Sequence, residues 1–230
     1  MKGPGAFVIG LMAAVLLAFP WPAAAQERPD IYVSVFGGGN VPFRTDVRET
    51  GPATNLTASN VELKKSGTVG GKMGLYLTEF RDTLDMDFGM ELDITNFSPD
   101  AGRAAGAMVT PMNISSNIVA VNFLLRKPFE VTYELPNGRW YPYIGIGGGL
   151  QTSTFEPPGI TRKGSDTSAA FQWLAGAKVF LTQHVALFGE YKFTHASHTF
   201  GTQNTTTGAI TTDKYTFDVN HFTAGIAVHF

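Results

Sequence analysis

Two residues near the carboxyl end of the chain, His195 and Ser197, are of types that support nucleophilic catalysis. A serine hydroxyl becomes a nucleophile when a neighbouring base accepts its proton and a third group orients that base. Residues two apart in an extended segment share one face, so the His-x-Ser spacing places both side chains together. Asp213 and Asp218 follow and are candidates for the third group. The same pattern also fits polar residues at the end of a strand that enters a loop.

A second set of chemically active residues is charged and alternates with apolar residues. Between Leu84 and Phe97 one face carries Asp85, Asp87, Gly89, Glu91 and Asp93, and the other carries Met86, Phe88, Met90, Leu92 and Ile94. The same alternation in other segments places on polar faces Lys72, Arg126, Lys178, Glu190 and Lys192. A soluble barrel would turn its apolar face inward. Charges spread over several strands instead predict a barrel with a polar lumen and an apolar outer face against lipid.

The predicted lumenal charges balance. The cations are Lys72, Arg126, Lys178 and Lys192, and the anions are Asp87, Glu91, Asp93 and Glu190. Eight strands enclose a lumen about wide enough for side chains to fill, so we expect these charges to pair and close it. Lys192 is expected to pair with Glu91 or Asp93. The alternative is that the same charges line a narrow channel for small solutes.

Alternating segments recur along the chain and are separated by stretches rich in Gly, Pro, Asn, Asp, Ser and Thr. Eight strands are predicted: Ile31 to Val41, Gly67 to Leu77, Leu84 to Phe97, Ile114 to Arg126, Arg139 to Thr152, Ser168 to Leu181, His184 to Phe200, and Lys214 to Phe230. Long and short connections alternate, which is typical of barrels with long external loops and tight periplasmic turns. The sequence thus predicts an all-β fold, an eight-stranded antiparallel up-and-down transmembrane β-barrel.

The amino-terminal residues have the features of a secretory signal. Lys2 precedes an apolar stretch from Ala6 to Phe19, and small residues lead to Ala25 before the polar Gln26. The apolar stretch is shorter than the ~20 residues that a transmembrane helix needs. We therefore expect residues 1–25 to be a signal peptide cleaved after about Ala25, and residues 26–230 to form one barrel domain.

Aromatic residues and glycines have expected places on this barrel. Phe97, Phe171, Phe193 and Tyr215 are assigned to the external rim, and Trp140, Tyr141, Phe180 and Phe230 to the periplasmic rim. Such girdles are typical of outer-membrane barrels. The glycines from Gly145 to Gly149 are expected to let the strand bend or another side chain approach closely.

Composition excludes several functions. The chain has no cysteine, which excludes disulfides and thiolate chemistry, and its five histidines give no metal-ligand spacing. A net charge of −2 without a basic cluster argues against nucleic acid as a partner. We expect neither a cofactor nor a metal.

Three segments resemble a known family. They are WYPYIGIGGGL from Trp140, GAKVFLTQHVALFGEYKFT from Gly176, and the terminal HFTAGIAVHF. These resemble the opacity-type and OmpA-like eight-stranded outer-membrane barrels of Gram-negative bacteria, a porin family that includes surface antigens. The resemblance implies a monomer in the outer membrane, surrounded by lipid and lipopolysaccharide, with external loops that contact an extracellular ligand. It also implies that the barrel assembly machinery reads the terminal row Phe222, Ile226, Val228 and Phe230.

The His195 and Ser197 pair resembles the His-x-Ser of the lipid A deacylases, which are also eight-stranded barrels. Two departures separate this chain from them: His198 stands where they have Asn, and no Glu follows Ser197. The sequence therefore predicts a non-enzymatic barrel, with deacylase-like hydrolysis as the alternative.

Overall fold

The computed structural model describes residues 29–43, 45–50, 55–61, 63–99, 113–156, 164–203 and 210–230. The predicted signal peptide, residues 1–25, lies outside the described residues. The strands are β1 (Asp30–Pro42), β2 (Thr45–Thr50), β3 (Asn55–Val61), β4 (Ser66–Leu77), β5 (Asp87–Phe97), β6 (Asn113–Arg126), β7 (Trp140–Glu156), β8 (Gly164–Phe180), β9 (Val185–Gln203) and β10 (Ile210–His229), with a short helix α1 (Arg81–Leu84) between β4 and β5. No helix in these ranges is long and apolar enough to cross a membrane.

Eight of the ten strands close into a ring. Their order is β1, β4, β5, β6, β7, β8, β9 and β10, and β10 pairs back onto β1. Every neighbouring pair is antiparallel, and Tyr32 on the first strand lies opposite His229 on the last. The predicted eight-stranded up-and-down barrel is therefore confirmed.

The remaining strands, β2 and β3, form a hairpin within the stretch from Pro42 to Ser66, which was predicted to be a long polar link. β2 continues along β10 beyond the end of β1, from Tyr215 opposite Val47 to Thr212 opposite Thr50, and β3 pairs with β2. The sequences of β2 and β3 show no apolar alternation that would have predicted the hairpin. It is held instead by the backbone pairing of β2 with β10. We call β2, β3 and residues 197–203 and 210–216 the rim extension.

The third predicted strand begins at Asp87, later than the predicted start at Leu84. Residues Arg81–Leu84 form α1, and Asp85 adopts a left-handed conformation with φ of 56° before β5 begins at Asp87. Aspartate tolerates this conformation better than most residues. Asp85 is therefore exposed and pairs with Lys127 Nζ at 2.5 Å, so its assignment to the lumenal face was wrong.

The alternation of faces otherwise follows the sequence. Apolar residues on the outer face are well exposed, including Val35, Phe123, Ile144, Leu150 and Ile226. Three aromatic residues assigned to the rims lie instead inside the barrel and are buried: Phe97, Tyr141 and Phe180. Each is an even number of residues from a lumenal side chain, so the period of two places it inward. Phe171, Trp140 and Phe230 do face outward.

The glycines of β7 allow lumenal side chains to approach closely, as predicted. A Cβ atom on Gly147 would lie 2.1 Å from Asn122 Oδ1, and one on Gly145 would lie 2.5 Å from Leu124 Cδ2. Neighbouring strands can therefore bring bulky inward side chains against the β7 backbone.

Candidate functional sites in the lumen and on the outer wall

A central cluster of charges lies in the middle of the lumen. Lys72 Nζ donates to Glu190 Oε2 at 2.5 Å and lies 3.2 Å from Glu91 Oε1. Lys192 Nζ donates to Asp93 Oδ2 at 2.5 Å, and Asp93 lies 3.8 Å from Lys72 Nζ. These side chains come from β4, β5 and β9 and are all buried, so the cluster ties separated parts of the ring together.

Neutral donors bind the glutamates of this central cluster. Tyr32 donates to Glu91 Oε2 at 2.5 Å, and Asn122 donates to Glu91 Oε1 at 3.0 Å. Tyr143 donates to Glu190 Oε2 at 3.0 Å, while Glu190 Oε1 has no hydrogen-bond partner among the described residues. Buried ion pairs are stable only when further hydrogen bonds compensate their lost hydration. Most of that compensation comes from side chains of β1, β6 and β7.

A second cluster lies nearer the periplasmic end and centres on Arg126. Its guanidinium binds Asp30 and donates to Asp87 Oδ2 at 2.8 Å, and it stacks 3.9 Å from the ring centroid of Tyr76. Asp30 also lies 2.7 Å from His229 Nδ1, which joins β1 to β10. Sequence reasoning missed Asp30 and His229 as site residues. The available signal was the alternation of faces: Asp30 shares the inward face of its strand with Tyr32, and His229 shares that of its strand with His221.

Arg81, in α1, completes this periplasmic cluster from outside the strands. Its Nη2 donates to Asp87 Oδ2 at 2.6 Å and its Nη1 to the Pro136 carbonyl at 2.6 Å. Because Arg81 lies in α1 and not in a strand, the alternation of strand residues could not have predicted its role.

Lys178 is the one predicted lumenal charge that neither cluster includes. Its Nζ has no hydrogen-bond partner among the described residues, and it lies 3.5 Å from the ring centroid of Tyr32. The rings of Phe188 and Tyr141 lie 5.7 and 5.8 Å away. Aromatic faces attract a cation, so this lysine is held by rings rather than by a carboxylate.

An apolar layer lies beyond the central cluster, toward the external end of the barrel. It contains Leu63, Phe97, Ile114, Ile118, Ala120, Phe217 and Val219, all buried. A corresponding layer of Tyr32, Tyr76, Leu124, Tyr141, Tyr143, Leu174, Phe180 and Ala186 surrounds the periplasmic cluster. The charges are thus enclosed by packed side chains at both ends.

The outer wall brings together the residues considered for catalysis. His195 faces outward on β9, and its Nδ1 lies 2.5 Å from Asp218 Oδ1 on β10. Ser197 is on the same face, and its Oγ lies 3.4 Å from Thr216 Oγ1. Among the described contacts, no hydrogen bond joins Ser197 to His195. The structure therefore contains the contact between the candidate base, His195, and Asp218, whereas the Ser197 hydroxyl contacts Thr216 instead of His195.

The terminal row faces outward along β10. Phe222, Ile226, Val228 and Phe230 are between 40% and 56% exposed, and the Phe230 amide donates to the Ile31 carbonyl at 2.9 Å. Histidine, aspartate and glutamate side chains in the described ranges form no group of three that could hold a metal.

A closed strand ring with an apolar outer face and charges in its lumen defines an outer-membrane type of β-barrel. The sequence agrees with this class, because it matches the family model for the outer membrane protein beta-barrel domain over residues 11–230. The chain belongs to that family. Membership implies the outer membrane of a Gram-negative bacterium.

Solved structures are similar in fold. The outer membrane protein OprG of Pseudomonas aeruginosa aligns with a TM-score of 0.52 at 11% identity, covering 89% of this chain and 97% of OprG. Neisserial surface protein A aligns with a TM-score of 0.45 at 16% identity, covering 87% and 97% of the two chains. Ail of Yersinia pestis gives 0.39 at 12% identity, covering 88% and 99%. No curated protein matches the sequence.

Proposed function

We propose that this protein is a monomeric, non-enzymatic outer-membrane barrel that closes its own lumen and makes contacts through its external rim. The observation that carries the proposal is the pair of Lys192 and Asp93. Both side chains are fully buried, and their strands β9 and β5 are four places apart in the ring of eight. The pair therefore crosses the full width of the lumen.

The layers above and below this pair support closure. Phe97, Ile118 and Phe217 on the external side are each at most 3% exposed, and so are Tyr76 and Tyr141 on the periplasmic side. An ion passing through would have to displace packed rings and separate buried ion pairs. Both steps are costly in a medium of low dielectric constant.

The rim extension supports a contact role outside the cell. β9 and β10 are 19 and 20 residues long, whereas a tilted strand needs only ~9 to 11 residues to cross a bilayer. The surplus lies at the external end, where β2 and β3 widen it. A polar sheet that stands above the membrane presents a surface on which an extracellular ligand can bind.

Recording from planar bilayers tests the closed lumen. Purified and refolded protein should give no steady conductance. The matched variants Glu190→Ala and Asp213→Ala compare the effect of removing a carboxylate from the lumen with that of removing one from the rim. Glu190 is in the central cluster and Asp213 is in the rim extension. Steady wild-type conductance, with a selectivity that Lys72 or Lys192 variants change without loss of stability, would establish the narrow channel instead.

The contact of His195 with Asp218 favours one second candidate, a lipid A deacylase-like hydrolase. Asp218, one of the two candidates for the third group, makes the contact that the Glu absent after Ser197 would make in that family. In such a site His195 would accept the Ser197 proton as the hydroxyl attacks an acyl ester. The acyl group would pass to Ser197, the departing sugar hydroxyl would take the proton from His195, and water would then release the fatty acid. The mass of lipid A before and after incubation with the protein tests this. A loss of one acyl chain that Ser197→Ala abolishes would support the hydrolase, and unchanged lipid A would exclude it.

A further inference from the structure

Aromatic side chains are concentrated on one side of the outer wall. The rings of Trp173 and Tyr191 are 5.0 Å apart, and those of Tyr191 and Phe222 are 5.3 Å apart. Phe193 lies 6.1 Å from Trp173 and 6.3 Å from Phe43. These five residues of β8, β9, β10 and the end of β1 form one continuous surface, which we call the aromatic strip.

The opposite side of the barrel differs. The external halves of β4, β5, β6 and β7 turn aliphatic residues outward: Val69 on β4, and Ile94, Val119 and Leu150, which follow one another in register across β5, β6 and β7. None of the described outward residues in these halves is aromatic. A girdle that served only to mark the membrane boundary would be spread around the barrel. The strip is instead confined to one sector.

Polar groups continue directly from the strip toward the outside. Tyr191 donates its hydroxyl to Asn220 Oδ1 at 2.6 Å, and the next step in register is the pair of His195 and Asp218. The pair of Ser197 and Thr216 follows. The paired outward side chains of β9 and β10 thus change from aromatic to hydrogen-bonding groups within a few residues.

A cation, Lys214, stands at the external end of these paired outward residues. It is exposed on the outward row of β10, opposite Thr199. Positive charge is therefore available above the hydroxyl and imidazole groups.

The length of β9 sets the height of these groups. Ten residues separate Val185, beside the periplasmic turn, from His195. At ~3.3 Å per residue and a tilt of about 40° they rise about 25 Å, which is the height of the apolar band of an outer-membrane barrel. The strip therefore lies in the outer half of the hydrocarbon, and His195 and Asp218 lie at the level of the lipid headgroups.

We propose that this sector binds the lipid A part of lipopolysaccharide. The acyl chains would pack on the aromatic strip, the glucosamine hydroxyl and amide groups would bind at His195, Asp218 and Ser197, and a phosphate or acidic sugar would bind near Lys214. Aromatic faces suit both acyl chains and sugar rings, and charge-assisted hydrogen bonds suit phosphate. The site needs no hydrolysis and is independent of whether the lumen is closed.

The test measures lipid A bound to the refolded full-length protein. Barrels in phospholipid vesicles are titrated with lipid A, and binding is followed by Trp fluorescence and by the mass of complexes released in mild detergent. Wild type should retain lipid A in preference to phospholipid. Trp173→Leu and Lys214→Ala should each weaken binding roughly five- to tenfold, equivalent to ~1 to 1.4 kcal/mol. For Trp173→Leu the readout is mass alone.

Matched controls separate a site from general lipid contact. Phe123→Leu removes an exposed aromatic ring of β6 outside the sector, and Lys127→Ala removes a partly exposed lysine near the periplasmic end. Both should bind lipid A as wild type does. Lipid A without phosphates should bind Lys214→Ala and wild type equally. Equal losses in the controls and the sector variants, or full competition by phospholipid, would overturn the proposal. Heat-modifiable migration on gels shows which variants are folded.

Discussion

Lys192 and Asp93 lie on diametrically opposite strands of the barrel, and the lysine donates to the carboxylate at 2.5 Å. Thr95 accepts a second hydrogen bond from the same ammonium group at 2.8 Å. A contact across the whole ring restrains its cross-section as well as neutralising two charges. It is also one of the two pairings expected for Lys192 from the sequence.

Replacing Lys192 with Met should destabilise the barrel, because Asp93 then loses its nearest cation. Breaking a buried ion pair typically costs ~3 to 5 kcal/mol. Lys214→Met, which removes an exposed lysine from the adjacent strand, should change stability by less than ~0.5 kcal/mol. Urea unfolding in phospholipid vesicles measures both. The double variant Lys192→Met with Asp93→Leu should lose less than the sum of the single changes, and strict additivity would argue against coupling.

Gly147→Ala should destabilise the barrel while Gly148→Ala should not. A Cβ on Gly147 would lie 2.4 Å from the Val121 carbonyl oxygen, which the ladder holds in place. The resulting overpacking should cost about 1 to 3 kcal/mol. On Gly148 the nearest atom would be 3.6 Å away, an ordinary contact. The same urea titration compares the two, and equal midpoints would show that the neighbouring strand yields easily.

Deleting Phe230 should leave the protein exported but poorly inserted. The ring is 42% exposed, so its removal takes away little packing, whereas a terminal aromatic in an outward row is what the assembly machinery is expected to read. Heat-modifiable protein in outer-membrane fractions should fall several-fold. Phe123→Ala removes a ring that is 60% exposed in mid-barrel and serves as the control. Normal amounts of the shortened protein, or an equal loss in the control, would contradict an assembly role.

Protease added to intact cells should cut between Pro42 and Ser66 or between Gly201 and Asp213. These segments carry the rim extension and its connections, which lie outside the cell on the proposed topology. Thr182 and Gln183 should be spared, because they form the tight turn between β8 and β9 at the periplasmic end. Cell lysis should expose this turn without changing the external sites. Cutting at the turn in intact cells would invert the topology.

The sequence determined the faces of the strands because a period of two assigns each residue to one side. Lys72, Glu91 and Glu190, which the alternation assigned to the polar face, are buried in the structure. Which of them meet across the lumen depends on strand tilt and stagger, and no local pattern encodes these quantities. The aromatic surroundings of Lys178 were unforeseen for that reason, since Tyr32 reaches it from a strand three places away in the ring.

Two further features depended on long-range pairing. The β2 and β3 hairpin has no hydrophobic alternation and exists as an extension of the ladder on β10. The contact of His195 with Asp218 depends on the register between β9 and β10. The residues that connect these two strands do not specify that register. Asp85 was misplaced because it is itself in the left-handed conformation, two residues before β5 begins, so the alternation of the strand does not extend to it.

The bond between Asp30 and His229 joins residues 199 positions apart in the chain. It lies at the junction of β1 and β10, so this junction can form only after β10 has crossed the inner membrane. A sheet without this junction would have two unpaired edges, which are prone to aggregation. Contacts this distant in sequence also form slowly. The vulnerability of the folding barrel is therefore set by the arrival of β10, because that strand covers the free edges of both β1 and β9.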